Sequence, residues 1–233
     1  MIVFVSSLLV YDLGLRSTYL KGEYTQPFND YTPLNYKGFD VIELHASTAV
    51  NIKLVQGPFK VLANPFASDF LKVKQQGTHL IIDAAFGEHY NAINTDYVLY
   101  VSCPKLHELQ ADAYYLKKDV IITDTAANSF DWKPTLISGF NADSLRITEN
   151  HAANIILEHN NINRLNAVVG INDRSRSNLT IGENNQFLKT KLDILNKSHL
   201  WIRSGNANNL NYHLADSATL VVKGAAAKQL LKL

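Results

Sequence analysis

The chain is poor in the residues from which much protein chemistry is built. It has a single cysteine, Cys103, so no intramolecular disulfide can form and no disulfide framework shapes the fold. That cysteine sits in the apolar run VLYVSCP, where a small buried thiol is expected rather than a reactive one. No run of five or more like charges occurs, and the formal net charge is only +1. Such a balance gives no electrostatic reason to expect a nucleic acid or an anionic membrane surface as partner. Also missing are GxGxxG, a Walker-type loop, GxSxG, HxH, HxxxH and HExxH. Nucleotide binding, α/β-hydrolase chemistry and a local zinc motif therefore have no support, and no cofactor is expected.

A membrane-spanning run is missing as well. IVFVSSLLV at 2–10 reaches only 14 residues when stretched to Leu15, below the ~20 that cross a bilayer. No Lys or Arg precedes Arg16, no A-x-A-like cleavage site follows, and no Cys stands behind the run for lipid attachment. Residues 1–18 are read as an export or anchor segment that begins upstream of Met1, and a buried first strand is the competing reading. YLKGEYTQPFNDYTPLNYKG at 19–38 is expected to be a tether, since it is rich in tyrosine, punctuated by Pro and Gly, and aperiodic.

What the chain has in excess is asparagine and repetition. Between Asn141 and Asn211 there are 16 Asn in 71 residues. Apolar triplets recur inside AANIILEHN, RSNLTIGENN, KSHLWIRSGN and SATLVVKGAA. Their central residues, Ile156, Thr180, Trp201 and Val221, follow one another by 24, 21 and 20 positions. A second series, Leu145, Leu165, Leu188 and Leu210, is spaced by 20, 23 and 22. Two interleaved series with one period imply one small unit stacked on copies of itself. The segments between triplets are short, strand-like and rich in Asn and Thr, which excludes the helix of a leucine-rich repeat. The expected fold is all-β, a single-stranded right-handed parallel β-helix or solenoid with coils of ~20–24 residues. Leu179 and Ile181 would face inward and stack on Leu200 and Ile202, then on Leu220 and Val222, with Thr180, Trp201 and Val221 outside. Asparagine tolerates turns and pairs with its own kind one coil away, so the excess has a structural use.

The first half is expected to belong to the same domain, which would span 39–224. FDVIELHASTAVNIKLVQG at 39–57 alternates with a strand period, and KVLA, LKVK, HLIIDA and TDYVLYVSCP are further strands broken by Asn64-Pro65 and Gln76-Gly77. Residues 105–128, with VIIT at 120–123, have the shape of a coil, and 129–143 are expected to be an excursion projecting from it. The tail at 225–233 is expected to cap the open end, because an open end exposes unpaired backbone.

On these residues the chain resembles the autotransporter adhesin head family, the GIN domains. FDVIELHASTAVNIKLVQGPFKV with LKVKQQGTHLIID looks like that family's opening strands, and the Asn-rich coils ending in SATLVVKG look like its later ones. YLKGEY after an apolar stretch is similar to the membrane-proximal sequence of such proteins. The match covers roughly residues 39–224. It implies a bacterial envelope β-solenoid of unassigned biochemical function, periplasmic or surface-exposed, and it supplies no active site.

A β-helix also invites comparison with lyases and glycoside hydrolases, whose carboxylates must gather at one place. Asp173, Asp193 and Asp216 precede the centres of their triplets by 7, 8 and 5 residues, so they share no register, although Arg174 and Arg176 stand near the first. Metal ligation across coils by His159, His199 or His213 competes with an ordinary scatter of surface histidines. The aromatics Tyr114, Tyr115, Trp132, Trp201 and Tyr212 lie in or beside coil segments. Exposed on a flat β face, such rings stack sugars or grip proteins; ordinary packing is the alternative. The functional expectation is a non-enzymatic, adhesin-like binder of a protein or glycan ligand, touching a membrane only through its N-terminal segment. A β-helix enzyme acting on carbohydrate and an end-to-end spacer module are the alternatives.

Overall fold

The computed structural model of the chain describes residues 28–87, 97–125, 134–203 and 210–230. The expected export segment, the start of the tether and Trp132 lie outside them. In chain order the strands begin with β1 (Thr32–Leu34), β2 (Val41–Leu44), β3 (Ile52–Gln56) and β4 (Lys60–Ala63). Next come β5 (Leu71–Gln76), β6 (His79–Phe86), β7 (Leu99–Cys103), β8 (Glu108–Ala111), β9 (Tyr114–Lys117) and β10 (Val120–Thr123). The second half holds β11 (Thr135–Ser138), β12 (Asn141–Glu149), β13 (Asn154–Glu158), β14 (Asn161–Val169) and β15 (Asn178–Ile181). It closes with β16 (Gln186–Ile194), β17 (His199–Ile202), β18 (Tyr212–Leu214), β19 (Thr219–Val222) and the helix α1 (Gly224–Leu230).

The chain is all-β, built on two large, mostly parallel sheets. The first runs β1-β4-β7-β3-β11-β13-β15-β17-β19, and the second β10-β9-β6-β2-β8-β12-β14-β16-β18, with β5 beside β6. From β11 onward, consecutive strands alternate between the two sheets, and each strand pairs in parallel with the next-but-one. In the first sheet, Leu136, Ile156, Thr180, Trp201 and Val221 are successive partners. The triplet spacing is therefore the true register. Beside them runs the inward column Val101, Leu54, Ile137, Leu157, Ile181, Ile202 and Val222. Each fully buried aliphatic side chain contributes about 1.5–3 kcal/mol through the area it removes from water, as an upper bound.

In the second sheet the register departs from the expected series. Leu145 pairs with Leu165, but Leu165 pairs with Thr190 rather than stacking on Leu188, and Tyr212 stands beside Leu192. The ladder passes from Ala142, Ile162 and Phe187 directly to Ser144, Arg164 and Lys189. Asp143, Asn163 and Leu188 are thus skipped at one level of three successive strands. The partner offset is the same before and after this level, so no strand carries an extra residue. Instead the inward residues stand three apart there (Ala142 and Leu145, Ile162 and Leu165), which leaves two successive side chains on the outward face. Leu188 is accordingly 71% exposed.

The first half is not wound in sequence order. The β2–β3 pair is flanked on one side by β6 and β7 and on the other by β8 and β11, so the chain crosses over it. β4 and β5 run antiparallel to β7 and β6, and β9–β10 is an antiparallel hairpin. Uniform coils from Phe39 are therefore replaced by a mixed region, because short antiparallel returns satisfy strand edges locally. The expected excursion over 129–143 is also corrected. Thr135–Ser138 form β11, which bridges β3 to β13 within the sheet. Residues 28–38, read as tether, lie against the domain: β1 pairs with β4, and Phe28 packs on Tyr31 and Tyr100.

Asparagine holds the corner where the chain passes from one sheet to the other. Asn160 and Asn185, 1% and 2% exposed, stack one above the other. Asn160 Nδ2 donates to the Ile137 carbonyl and to Asn185 Oδ1, both at 3.0 Å, and its Oδ1 accepts from the Phe140 amide at 3.0 Å. Asn185 Nδ2 donates to the Leu157 carbonyl at 2.7 Å. His151, His159, Asn184 and Asn196 take the left-handed backbone conformation at other corners. Gly170 adopts φ +83, and an added Cβ would lie 2.7 Å from the Leu195 carbonyl, so only glycine fits. Orphaning a buried backbone group costs about 1–3 kcal/mol. Asn160→Ala should therefore lower stability to urea by about 3 kcal/mol, whereas Asn161→Ala, at an exposed position, should change it by less than about 0.5 kcal/mol.

Candidate functional site

The outward face of the second sheet carries the longest strands among the described residues. β12, β14 and β16 are nine residues each and lie in register. Their side chains alternate by the strand period, so each outward row holds one residue from every strand, about 4.8 Å apart. The skipped residues open a shallow groove where the three strands bend. It has a volume of about 220 Å³ and is lined by Asp143, Asn163, Arg164, Leu188 and Lys189. Asn163 Nδ2 donates to Asp143 Oδ1 at 2.9 Å, which fixes one wall. Arg164 and Lys189 are partners on adjacent strands. Neither has an ion-pair partner among the described residues, whereas Arg146 meets Glu108 at 4.0 Å and Lys191 meets Asp193 at 3.9 Å.

A second cluster lies on the outward side of β2 and β6. His79 Nδ1 contacts Glu43 at 2.5 Å, His45 Nε2 contacts the same carboxylate at 3.5 Å, and His45 Nδ1 contacts Asp83 at 2.6 Å. Lys74 completes the row, 3.2 Å from Asp83. Tyr114 stacks on the His45 ring at 4.9 Å between centroids. Burial, then the charges of Asp83, Asp112 and Glu43, push the Tyr114 phenol up to about 12. Next to it, His151 Nδ1 meets Asp112 at 2.5 Å. Each carboxylate is matched by a cation or an imidazole across the strands, which is the pattern of a cross-strand ladder rather than a metal centre. Among the described residues no three His, Cys, Asp or Glu side chains converge as metal ligands do.

No family model matches the chain, and no curated protein matches it. Solved structures do. One is a "putative adhesin" from Parabacteroides merdae at 10% identity and TM-score 0.32, over 83% of this chain and 95% of that one. Another is a "putative adhesin" from Bacteroides fragilis, at 7% identity and TM-score 0.40 over 82% and 94%. A third is a "putative lipid binding protein" from Parabacteroides distasonis, at 13% identity and TM-score 0.34 over 83% and 93%.

Of the aromatic residues singled out in the sequence, the four among the described residues do not come together. Tyr114 lies in the histidine–carboxylate row, and Tyr115 packs edge-on against Phe86 at 5.3 Å and onto the core. Tyr212 stands in the inward column beside Leu192. Trp201 faces outward on the first sheet, half-buried, with Lys223 Nζ 5.0 Å from its ring. Nor do the acidic residues of the coils converge. Asp193 pairs with Lys191, with His213 3.9 Å away, while Asp173 and Asp216 lie outside the strands. Cys103 is fully buried, and burial pushes its thiol up to about 12.

One inward residue has no counterpart in the sequence reading. Glu149 ends β12 in the column Ile82, Leu44, Ala111, Glu149, Val169, Ile194 and Leu214. It is 0% exposed, and neither carboxylate oxygen has a hydrogen-bond partner among the described residues. Burial pushes its carboxyl well above the usual range. A folded-state value above the unfolded one means that the folded chain holds the extra proton. The associated stability is full below the ordinary glutamate value of ~4.3 and is lost as pH rises from there through the folded-state value. Urea midpoints should fall as pH rises above about 4.3 in the native chain, and Glu149→Gln, which cannot ionise, should flatten that fall.

Proposed function

We propose that the chain is a non-enzymatic binding module of the bacterial cell envelope, adhesin-like, that presents the outward face of its second sheet to a protein or glycan. The observation that carries this reading is the groove of β12, β14 and β16, where the two cations Arg164 and Lys189 stand side by side with no ion-pair partner among the described residues and Asp143 lines the same groove. The alternation of strands from β11 to β19 supports a β-solenoid of right-handed coils in that half, in keeping with the GIN resemblance of its sequence. α1, which buries Ala226 against the core, is its C-terminal cap in this reading. Residues 1–18 serve as the export or anchor segment. Of the aromatic set, Tyr114 and Trp201 keep outward edges for contact. A glycan array together with a pull-down from envelope extract, both using the full chain, should return at least one saturable ligand. Two blank results would overturn the reading.

The β9–β10 hairpin favours a second role as an assembly module. It forms the edge of the second sheet and exposes Leu116, Val120 and Ile121 at 40%, 59% and 67%. An apolar edge strand is a template for pairing with another chain. Sedimentation should then show self-association that rises with concentration and is abolished by Ile121→Lys. A strict monomer at high concentration rules this role out.

A further inference from the structure

Resting on the binding role proposed above, we infer that the groove at the bend of β12, β14 and β16 is a subsite for a uronic acid residue of an acidic glycan.

Each wall supplies one part of such a ligand. Arg164 and Lys189 are direct partners on adjacent strands, where like charges repel. The neighbouring cations, Arg146 and Lys191, have acids within 4.0 Å and 3.9 Å, whereas Arg164 and Lys189 have no ion-pair partner among the described residues. A carboxylate between the two side chains removes the repulsion, and the planar guanidinium of Arg164 matches it with two parallel hydrogen bonds. The opposite wall is of the other kind. Asp143 accepts from Asn163 through Oδ1, and the carboxylate has further acceptor capacity for ligand hydroxyls. A fixed anion beside the cations disfavours a uniformly anionic strand such as nucleic acid. It suits a ring that carries both hydroxyl donors and a carboxylate. Leu188, 71% exposed at the skipped position, offers an apolar surface to a pyranose face.

Size points the same way. At about 220 Å³ the groove falls short of the ~300–1,000 Å³ of drug-sized sites, so it takes one sugar ring of a longer chain. Affinity for a monosaccharide is correspondingly weak, and an oligomer gains from neighbouring rows of the same face.

The test is calorimetric titration of the full chain with de-esterified tetragalacturonate, and with the glucuronate and mannuronate tetramers. The fully methyl-esterified galacturonate tetramer and an oligoglutamate of equal charge serve as controls. Binding of at least one uronate tetramer is expected, weakened by added salt and absent for the methyl ester. The double variant R164Q/K189Q should weaken it roughly tenfold or more while leaving the circular dichroism spectrum and the urea midpoint unchanged. Leu188→Ser should weaken it without altering its salt dependence. Three results overturn the inference: no uronate binds, the double variant binds as tightly, or oligoglutamate competes equally and assigns the cations to an acidic protein. If uronates fail while the array or pull-down returns another ligand, the binding role stands and this subsite falls. If every probe fails, both fall.

Discussion

The backbone at each passage between the sheets must be satisfied away from water, and the rest of the structure depends on how that is done. A strand that leaves one sheet and enters the other abandons its ladder for a few residues, and buried amides and carbonyls left there cannot be hydrated. Asn160 and Asn185 answer this from within, one per level, each reaching the chain below and the chain beside it. Ser177 and Ser198 do the same at the opposite corner, where the Ser177 amide donates to Ser198 Oγ at 3.1 Å. Because each corner residue bonds to the previous level, the corners fix the register as well as the turn. The aliphatic columns stack at one strand spacing only while these bonds hold them level.

That dependence explains which features could be read from the chain. The triplets were legible because a four-residue strand flanked by corner residues has no room to slip. The leucines of LTI, LWI and LVV therefore had to superpose. The second series was legible only in part. A leucine at a bend looks like a core leucine in sequence, so Leu188 aliased for the position that Thr190 occupies. β11 was hidden for a different reason. TLIS is four residues long, stands among Pro134, Gly139 and two aromatics, and gains its place only from partners far away, β3 and β13. The crossing of β6 and β8 over β2 was hidden likewise, since nothing local states that two later strands will flank an earlier one.

The candidate site shares the fate of the register. Aligning Leu165 with Leu188 places Arg164 beside Phe187 and hides the pair of cations altogether. With the observed offset, Arg164 meets Lys189. The histidine–carboxylate row was equally invisible, because Glu43 and His79 become neighbours only through the pairing of β2 with β6. Glu149 was missed because the alternation in LRITE reads as a strand running out into solvent. Its carboxyl instead continues the apolar column beside Ala111 and Val169.

Inside and outside are thus governed by different constraints, and the difference gives outward residues their meaning. An inward position must fill a column of fixed spacing, so its identity reports packing. Thr135 and Thr190 fill such columns as polar residues, while Glu149, a carboxyl among aliphatic side chains, works against stability. An outward position has no such duty, and electrostatics alone would favour alternating signs along each row, as in Arg146 with Glu108 or Lys74 with Asp83. Folding gains nothing from two adjacent bare cations. Arg164 and Lys189 instead line a groove together with Asp143, Asn163 and Leu188. The same residues that break the hydrophobic period therefore create a place on this face where a shaped opening coincides with two adjacent cations that have no ion-pair partner among the described residues.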